Sequence, residues 1–226
     1  MRSFFNKIYS TICSWMAALL SPPTCVGCHT FLDERVPLCA SCDEVIMPIV
    51  STEIMVTGSY TMKVFAISEY TGVIRSLIMA KQLGNRLPSK QLGHLIATRC
   101  LADWNIYDYI VPVPLHWRRY AERGFNQSEE MARVIGSFHT ISFSSGVVRK
   151  RATKYQTTLE QKARRHNVSD AFEISETARE LYRGKHLLLV DDVLTTGSTL
   201  SEMARVLAQC RPASISVVVA ARVILK

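Results

Sequence analysis

A short aliphatic run near the C-terminus ends in two adjacent carboxylates and a turn of small polar residues. Residues 187–190 are leucine and valine only, which predicts a strand buried on both faces. Asp191 and Asp192 follow at its carboxyl end, where carboxylates accept hydrogen bonds from ribose hydroxyls, directly or around Mg²⁺. Residues 195–199 place small hydroxyls and backbone N–H groups at the start of a helical stretch, which stabilises a phosphate. The segment therefore predicts a sugar-phosphate site.

The same segment resembles the phosphoribosyl-pyrophosphate (PRPP) loop of type I phosphoribosyltransferases. In that family the acidic pair contacts the ribose hydroxyls and the turn holds the 5′-phosphate. The resemblance implies that Asp191 and Asp192 are ribose-side groups. It also implies a phosphate cradle that consists of Thr195, Thr196, Gly197, Ser198 and Thr199. The alternative is a strand, a capped turn and a helix without a ligand, but the full run of both carboxylates and five phosphate-type residues favours the site.

Positive charge is concentrated in the middle of the chain. The net charge of the 226 residues is +8. Between His116 and His166 there are eleven Lys and Arg against four Glu, which gives +7 within this segment. This concentration indicates an anionic partner. A hydrophobic content of 48% with 20% charged residues predicts a globular chain rather than a disordered one.

Residues 1–20 carry apolar side chains at helical spacing, which predicts an amphipathic helix. Its longest apolar run, residues 15–20, is too short to span a bilayer, so no transmembrane span is expected. We favour a helix that packs on the protein or docks on a protein partner. A membrane-surface helix and an export signal are the alternatives, but residues 21–23 form a poor cleavage site. The expected location is the cytoplasm.

Two C-x2-C pairs, separated by ten residues, follow this helix. Their four thiolates suit a tetrahedral zinc site, formed by Cys25, Cys28, Cys39 and Cys42. Four sulfur ligands leave no open position, so the predicted zinc is structural. Two disulfides are the alternative in an exported protein, and His29 would be a ligand only if one cysteine is not. Cys13, Cys100 and Cys210 are predicted to be core thiols.

The rest of the chain alternates strand and helix patterns, which predicts a parallel sheet with right-handed crossovers. Predicted strands cover residues 63–70, 109–113, 172–174, 187–190 and 215–221, with a strand edge at 147–148. Predicted helices cover residues 73–82, 91–101, 126–135 and 200–209, with a breaker at 83–88. Ligands in such sheets bind outside the carboxyl ends of the strands, so the turn at 112–118 and the loop at 191–199 are expected to line one site. The predicted division is 1–22 helix, 23–48 zinc module and 49–226 α/β domain.

Two basic stretches flank the predicted helix at 126–135. In the first, a proline-stiffened turn leads to Arg118, Arg119 and Arg123, whose guanidinium groups suit phosphate or pyrophosphate. Gly124 and Asn126 are typical turn and cap residues. A solvated basic loop with a capped helix is the alternative.

The second stretch, residues 149–167, is too polar to pack and is predicted to be a long mobile loop that acts as a lid. An inert solvated excursion is the alternative. Cations interleaved with Trp117, Tyr120, Phe125 and Tyr155 also suit single-stranded nucleic acid. The predicted nucleic-acid contacts are Arg149, Lys150, Arg151, Lys154 and Tyr155.

The order of these features resembles the competence protein F family (ComF, with relatives called GntX) over nearly the whole chain. The resemblance implies a type I phosphoribosyltransferase-like α/β fold, in which helices flank a parallel sheet, with a small N-terminal zinc module. It further implies a role in natural transformation and the handling of incoming single-stranded DNA. In this fold the 112–118 turn takes the pyrophosphate position and residues 149–167 match the flexible catalytic loop.

Two functions follow from the resemblance. The first is a competence protein that handles incoming single strands in the cytoplasm, with PRPP as a sensed or consumed ligand and with competence-machinery partners. The second is a salvage phosphoribosyltransferase that transfers phosphoribose from PRPP with Mg²⁺ to an unidentified acceptor. Its candidate catalytic residues are Asp191, Asp192, Lys154 and Arg164. The zinc module favours the first function.

Overall fold

The computed structural model describes residues 23–33, 36–46, 49–57, 60–80, 84–150 and 171–224. They form two compact units, one that ends at Ile46 and one that follows it. In the first unit a bridge joins Thr24 to Phe31, and helix α1 (Ala40–Glu44) begins directly after Cys39. The predicted helix over residues 1–20 lies outside the described residues.

The second unit alternates strands and helices. Its strands are β1 (Ile49–Thr57), β2 (Tyr60–Glu69), β3 (Tyr109–Pro112), β4 (Ser142–Phe143), β5 (Val147–Arg149), β6 (Phe172–Ile174), β7 (His186–Leu194) and β8 (Ser214–Arg222). Its helices are α2 (Gly72–Met79), α3 (Leu87–Arg99), α4 (Trp117–Arg123), α5 (Gln127–His139), α6 (Glu176–Leu181) and α7 (Ser198–Ala208). No described helix is long and apolar enough to cross a bilayer.

Six strands form one sheet in the order β1-β2-β8-β7-β3-β4. The neighbouring pairs β2–β8, β8–β7, β7–β3 and β3–β4 are parallel. In this sheet only β1 pairs antiparallel, with β2. The central strands are buried on both faces: Leu187 and Leu189 share a cluster with Leu200 of α7, whereas strand alternation turns Leu188 to the opposite face. The predicted α/β class, a parallel sheet flanked by helices, is confirmed except for the antiparallel strand β1.

Strand β1 was not predicted, although its sequence carries a period-two pattern. Thr52, Ile54 and Val56 are half-buried, while Glu53 and Met55 are exposed. This alternation fits an edge strand with one face on the core. The sheet is therefore not parallel throughout, because an antiparallel strand closes one edge.

Strands β5 and β6 pair only with each other among the described residues, and they run antiparallel. The prediction that both belong to the parallel sheet is therefore wrong. Arg149 lies opposite Phe172, and the backbone N–H of Lys150 donates to the carbonyl of Ala171 at 2.8 Å. A side chain at Gly146 would collide with Ala178, since an ideal Cβ there would overlap the Cβ of that residue. Close packing on α6 thus anchors this small hairpin.

Several element boundaries differ from the predicted ones. Strand β7 continues through the acidic pair to Leu194, because its ladder with β8 extends to Leu194 and Arg222. Helix α3 begins at Leu87, inside the predicted breaker, since proline is tolerated in the first helical turn. Cys100 and Cys210 are buried thiols as predicted, and burial raises the pKa of Cys100 to about 11.

Candidate functional site

The acidic pair lies near the end of the central strand β7. One carboxylate oxygen of Asp191 accepts a hydrogen bond from the Ser128 hydroxyl at 3.1 Å and another from the backbone N–H of Asp192 at 2.9 Å. Asp192 lines a small cleft with Leu77, Ser89 and Gln127. Both carboxylates are half-buried. Their oxygens can therefore accept further hydrogen bonds or coordinate a cation from the solvent side.

The turn that follows β7 has the backbone shape of an anion cradle. Gly197 is buried, adopts the left-handed conformation with φ of 73°, and forms the N-cap of α7. An ideal Cβ at this glycine would lie 3.3 Å from Cδ1 of Ile54, so the position is also sterically tight. The hydroxyls of Thr196 and Ser198 are 2.9 Å apart. Hydroxyls and N–H groups thus meet at the positive end of an eleven-residue helix, which favours a phosphate.

The turn after β3 lies beside this loop because β3 and β7 are neighbouring parallel strands. Their ladder continues as a bond from the N–H of Val113 to the carbonyl of Val190 at 2.9 Å. Asn126, which is nearly buried, donates to the carbonyl of Val113 at 3.0 Å and caps α5 by accepting from the N–H of Ser128 at 3.2 Å. One side chain therefore joins this turn to the helix that orients Asp191.

A short helix, α4, occupies the segment predicted as a basic turn, and it separates the three arginines. Arg119 and Arg123 are half-buried, whereas Arg118 is exposed. Arg123 donates to the amide oxygen of Gln127 at 3.2 Å. The guanidinium of Arg118 instead lies 5.3 Å from the ring centroid of Trp117. Helical periodicity thus directs two cations toward the domain and one toward solvent.

His116, which the sequence analysis did not select, caps this helix. Its side chain is buried, and Nδ1 accepts from the backbone N–H of Arg118 at 3.3 Å. A second hydrogen bond joins the ring to the backbone of Lys150. Burial lowers the pKa of His116, and the charges of Arg149, Arg118 and Arg119 lower it further. The neutral ring therefore ties the 112–118 turn to the end of β5.

Arg149 lies on the inner side of that strand. It is half-buried, and its guanidinium is 5.4 Å from the ring centroid of Phe172. Burial lowers its pKa, Arg119 lowers it further, and the nearby charge of Asp191 opposes this change. Lys150, by contrast, is exposed and pairs with Glu173 at 2.8 Å. The two predicted nucleic-acid cations thus differ, and Arg149 belongs to the surroundings of the acidic pair.

The remaining predicted residues of the basic excursion cannot be placed in this site. Arg151, Lys154, Tyr155 and Arg164 lie outside the described residues. Their catalytic and nucleic-acid roles therefore stay predictions.

The four cysteines of the N-terminal unit converge on one point. The Sγ atoms of Cys25, Cys28, Cys39 and Cys42 all lie within 4.8 Å of one another, and those of Cys28 and Cys39 are 3.6 Å apart. Tetrahedral zinc with bonds of about 2.3 Å separates its sulfurs by about 3.8 Å, so the cluster can hold a metal ion. None of the six described cysteines is in a disulfide.

Local polar groups prepare this cluster for a cation. Burial of Cys25 opposes ionisation, but backbone N–H groups of Cys28, Cys39 and Gly27 act the other way and lower the pKa of Cys25 to about 6. The hydroxyl of Thr30 is 2.8 Å from the sulfur of Cys28. Thiolates are the metal-binding form of cysteine, so these contacts favour metal ligation by Cys25 and Cys28. The side-chain hydrogen bond with Cys25 instead raises the pKa of Cys42 to about 12, so this thiol would lose its proton when a metal ion binds.

Comparison with known proteins supports both the fold and the relationship expected from the sequence. Residues 121–224 match the phosphoribosyl transferase domain. DNA utilization protein YhgH of Escherichia coli O157:H7 is 36% identical over 137 residues, which are 60% of this chain and 59% of that protein. Competence protein F of Haemophilus influenzae is 35% identical over 99 residues, 43% of each chain. The chain is thus similar to proteins named for DNA utilization and for competence, as the resemblance of its motifs predicts, and these matches span less than two thirds of the length of those proteins.

A solved structure of the allosteric regulatory enzyme of purine biosynthesis also matches. It is 19% identical, covers 58% of this chain and 25% of that chain, and has a TM-score of 0.40.

Proposed function

We propose that this homologue of competence protein F binds PRPP with Mg²⁺ and handles incoming single-stranded DNA in the cytoplasm during natural transformation. The observation that carries the PRPP part is the meeting of two loops at one sheet edge, since β3 and β7 are adjacent and parallel. One loop supplies carboxylates and a phosphate-type turn, and the other supplies arginines. Relatives named for competence and for DNA utilization support the DNA part.

The described residues fit a magnesium–sugar-phosphate ligand. Half-buried Asp191 and Asp192 offer the carboxylate oxygens that Mg²⁺ prefers, and the ligand's own phosphates would complete its coordination. The cradle at residues 195–199 would hold the 5′-phosphate. Arg119 and Arg123 are the described candidates for the pyrophosphate, and the same role for Lys154 and Arg164 remains a proposal.

A second candidate function is transfer of the phosphoribosyl group to an acceptor. The orientation of Asp191 by Ser128 favours it, because catalysis of this kind depends on positioned charge more than on covalent chemistry. Mg²⁺ would stabilise the departing pyrophosphate when it is bound. Release of pyrophosphate from PRPP that requires an added acceptor would establish this activity, whereas stable PRPP binding without turnover would support a sensing role.

We further propose that the four-cysteine cluster holds structural zinc. Elemental analysis of the purified protein should find about one zinc per chain, since four sulfur ligands complete the coordination of one ion. The Cys39→Ser variant should be insoluble or zinc-free, whereas Cys210→Ser, which alters a buried thiol of the second unit, should keep its zinc. A folded protein that contains no metal would refute the assignment.

Genetic complementation tests the proposed function as a whole. Deletion of the gene should reduce natural transformation, and the unaltered gene should restore it. If the Asp191→Asn and Asp192→Asn double variant is expressed at the normal level but fails to restore transformation, the PRPP site is needed for DNA uptake. Full transformation in the deletion strain would contradict the competence role. Full restoration by the double variant would contradict only the need for PRPP.

A further inference from the structure

The outward side of α4 exposes two aromatic rings. Trp117 is 63% exposed and Tyr120 is 47% exposed, whereas the neighbouring Phe125 is buried at 3%. Positions 117 and 120 are three apart in the helix, so both side chains leave the same side, and their Cα atoms are about 4.5 Å apart along the helix axis. The structure thus divides the aromatic residues of this segment into two exposed rings and one core residue.

A cation accompanies these rings. Arg118 is exposed, and its guanidinium lies 5.3 Å from the ring centroid of Trp117. Within the described ranges no carboxylate forms an ion pair with Arg118. Helix α4 contains three arginines and one glutamate, so the positive charge exceeds the negative. The outward side therefore combines flat apolar surfaces with positive charge.

We infer that Trp117, Arg118 and Tyr120, here called the stacking face, form a binding site for single-stranded nucleic acid. Unpaired bases would stack on the two rings, and Arg118 would contact the phosphate between them. The inference rests on the proposed role in DNA handling and adds the location of the contact. It takes up two of the aromatic residues that the sequence pattern singled out, and the predicted contacts through Arg149, Lys150, Arg151, Lys154 and Tyr155 stay predictions.

The surface chemistry favours a single strand over the other polyanions that a basic helix could meet. A duplex hides its bases within the stack, so the aromatic rings would gain little from it, and an acidic protein would not need two flat rings. An exposed aromatic without this arrangement is present for comparison: Phe138 on α5 is 54% exposed, and its ring packs against His94 and His139. It serves as the matched control.

The test measures binding of the purified full-length protein to a labelled oligothymidylate of about twenty nucleotides by fluorescence anisotropy. Stacking contributes strongly per base, so Trp117→Ala should weaken binding by about tenfold or more, and adding Tyr120→Ala should weaken it further. Phe138→Ala should leave the affinity unchanged. An oligomer of the same length without bases should bind weakly and equally to all these variants.

The salt dependence of binding distinguishes the contribution of Arg118 from that of the two aromatic rings. Arg118→Ala should reduce the slope of log affinity against log salt by about one, because one phosphate contact is lost. Arg118→Lys should keep the slope, and Trp117→Ala should keep it as well. All variants should retain the melting temperature, since the replaced side chains are exposed.

The possible results distinguish the stacking face from the more general role in DNA handling. If the unaltered protein binds oligothymidylate but the double ring variant binds it equally well, the stacking face is wrong and the DNA role survives. If the unaltered protein binds no single strand, both are wrong. Equal affinity for duplex and single strand, with no effect of the rings, would indicate contact through phosphates alone.

Discussion

The acidic and basic sides of the candidate site are built in different ways. The acidic side is a continuous segment, β7 to α7, in which each residue acquires its place from a strand end, one left-handed glycine and a helix N-terminus. The basic side is a helix, so neighbouring arginines point in different directions. The residues of a continuous loop motif can therefore be given their roles directly from the sequence. In a basic run that forms a helix, the role of each arginine depends on which side of the helix it occupies.

Replacement of both carboxylates, Asp191 and Asp192, should have the largest effect on PRPP binding. At a hundredfold excess over its dissociation constant, PRPP with Mg²⁺ should stabilise the unaltered protein by about 2.7 kcal/mol. For a domain of this size the melting temperature then rises by roughly 5–10 °C. We expect the Asp191→Asn and Asp192→Asn double variant to show no increase, because the ribose and Mg²⁺ contacts are lost.

Thermal denaturation with and without ligand measures this change. Glu180→Gln alters an exposed carboxylate on α6 and should keep the full increase. A ligand-dependent increase that persists in the double variant would mean that the ribose site lies elsewhere.

Substitutions of Arg118 and Arg119 test whether these neighbouring arginines of α4 have different roles. Arg119→Ala should weaken PRPP binding by roughly tenfold to a hundredfold, since a hydrogen bond to a charged group contributes about 1.5–3 kcal/mol. Arg118→Ala should change PRPP affinity by less than about twofold, because its side chain is exposed beside Trp117. Isothermal titration with PRPP gives both values. Equal losses in the two variants would show that helical phase does not decide the roles.

The left-handed glycine tests the acidic side. Gly197→Ala should lower the stability by about 1 kcal/mol, or roughly 2–4 °C in melting temperature, because alanine is strained at positive φ. PRPP binding should weaken several-fold, since the cradle shares this backbone.

Gly184→Ala is the matched control, because Gly184 has φ of 64° and no atom lies within 4 Å of its ideal Cβ. It should lose similar stability and keep PRPP affinity. Equal PRPP affinity in both variants would show that the turn at residues 195–199 does not hold the ligand.

The smallest expected effect concerns His116. Because its pKa is lowered in the folded protein, the unfolded chain binds the proton first, so stability falls as pH decreases through about 6.5 toward the lower folded pKa. His116→Asn keeps an N-cap acceptor for the Arg118 N–H but does not titrate. Between pH 7.5 and 5.5 its melting temperature should therefore vary less than that of the unaltered protein. Parallel pH profiles would show that this histidine does not contribute.

The sequence predicts the elements whose signals are local. Residues 187–190 are a continuous aliphatic run, residues 215–221 are apolar except for Ser216, and both lie in central parallel strands. The acidic pair, the glycine turn and the four cysteines are also local patterns, and each forms one compact group. Here the residues that act together are neighbours in the chain.

Part of what the sequence did not predict depends on contacts between distant segments. Strands β5 and β6 are three residues each, and only their mutual pairing shows that they leave the main sheet. His116 contacts Lys150, and Ser128 contacts Asp191 across 63 positions of the chain. No local sequence pattern predicts contacts between residues this far apart in the chain. Helix α4 was missed because a proline-rich turn and a glycine enclose only seven residues.

The β5–β6 hairpin has a consequence for how this protein can vary. The backbone hydrogen bond between Lys150 and Ala171 holds together the two ends of the chain segment 151–170. The conformational entropy lost by joining these ends is therefore part of the cost of forming the hairpin. Doubling the length of a closed loop costs only about 0.6 kcal/mol, which is small beside the stability of a domain. Insertions and deletions between these two residues are thus nearly neutral for folding. Selection can therefore vary the length and composition of this segment while the paired residues Lys150 and Ala171 stay the same.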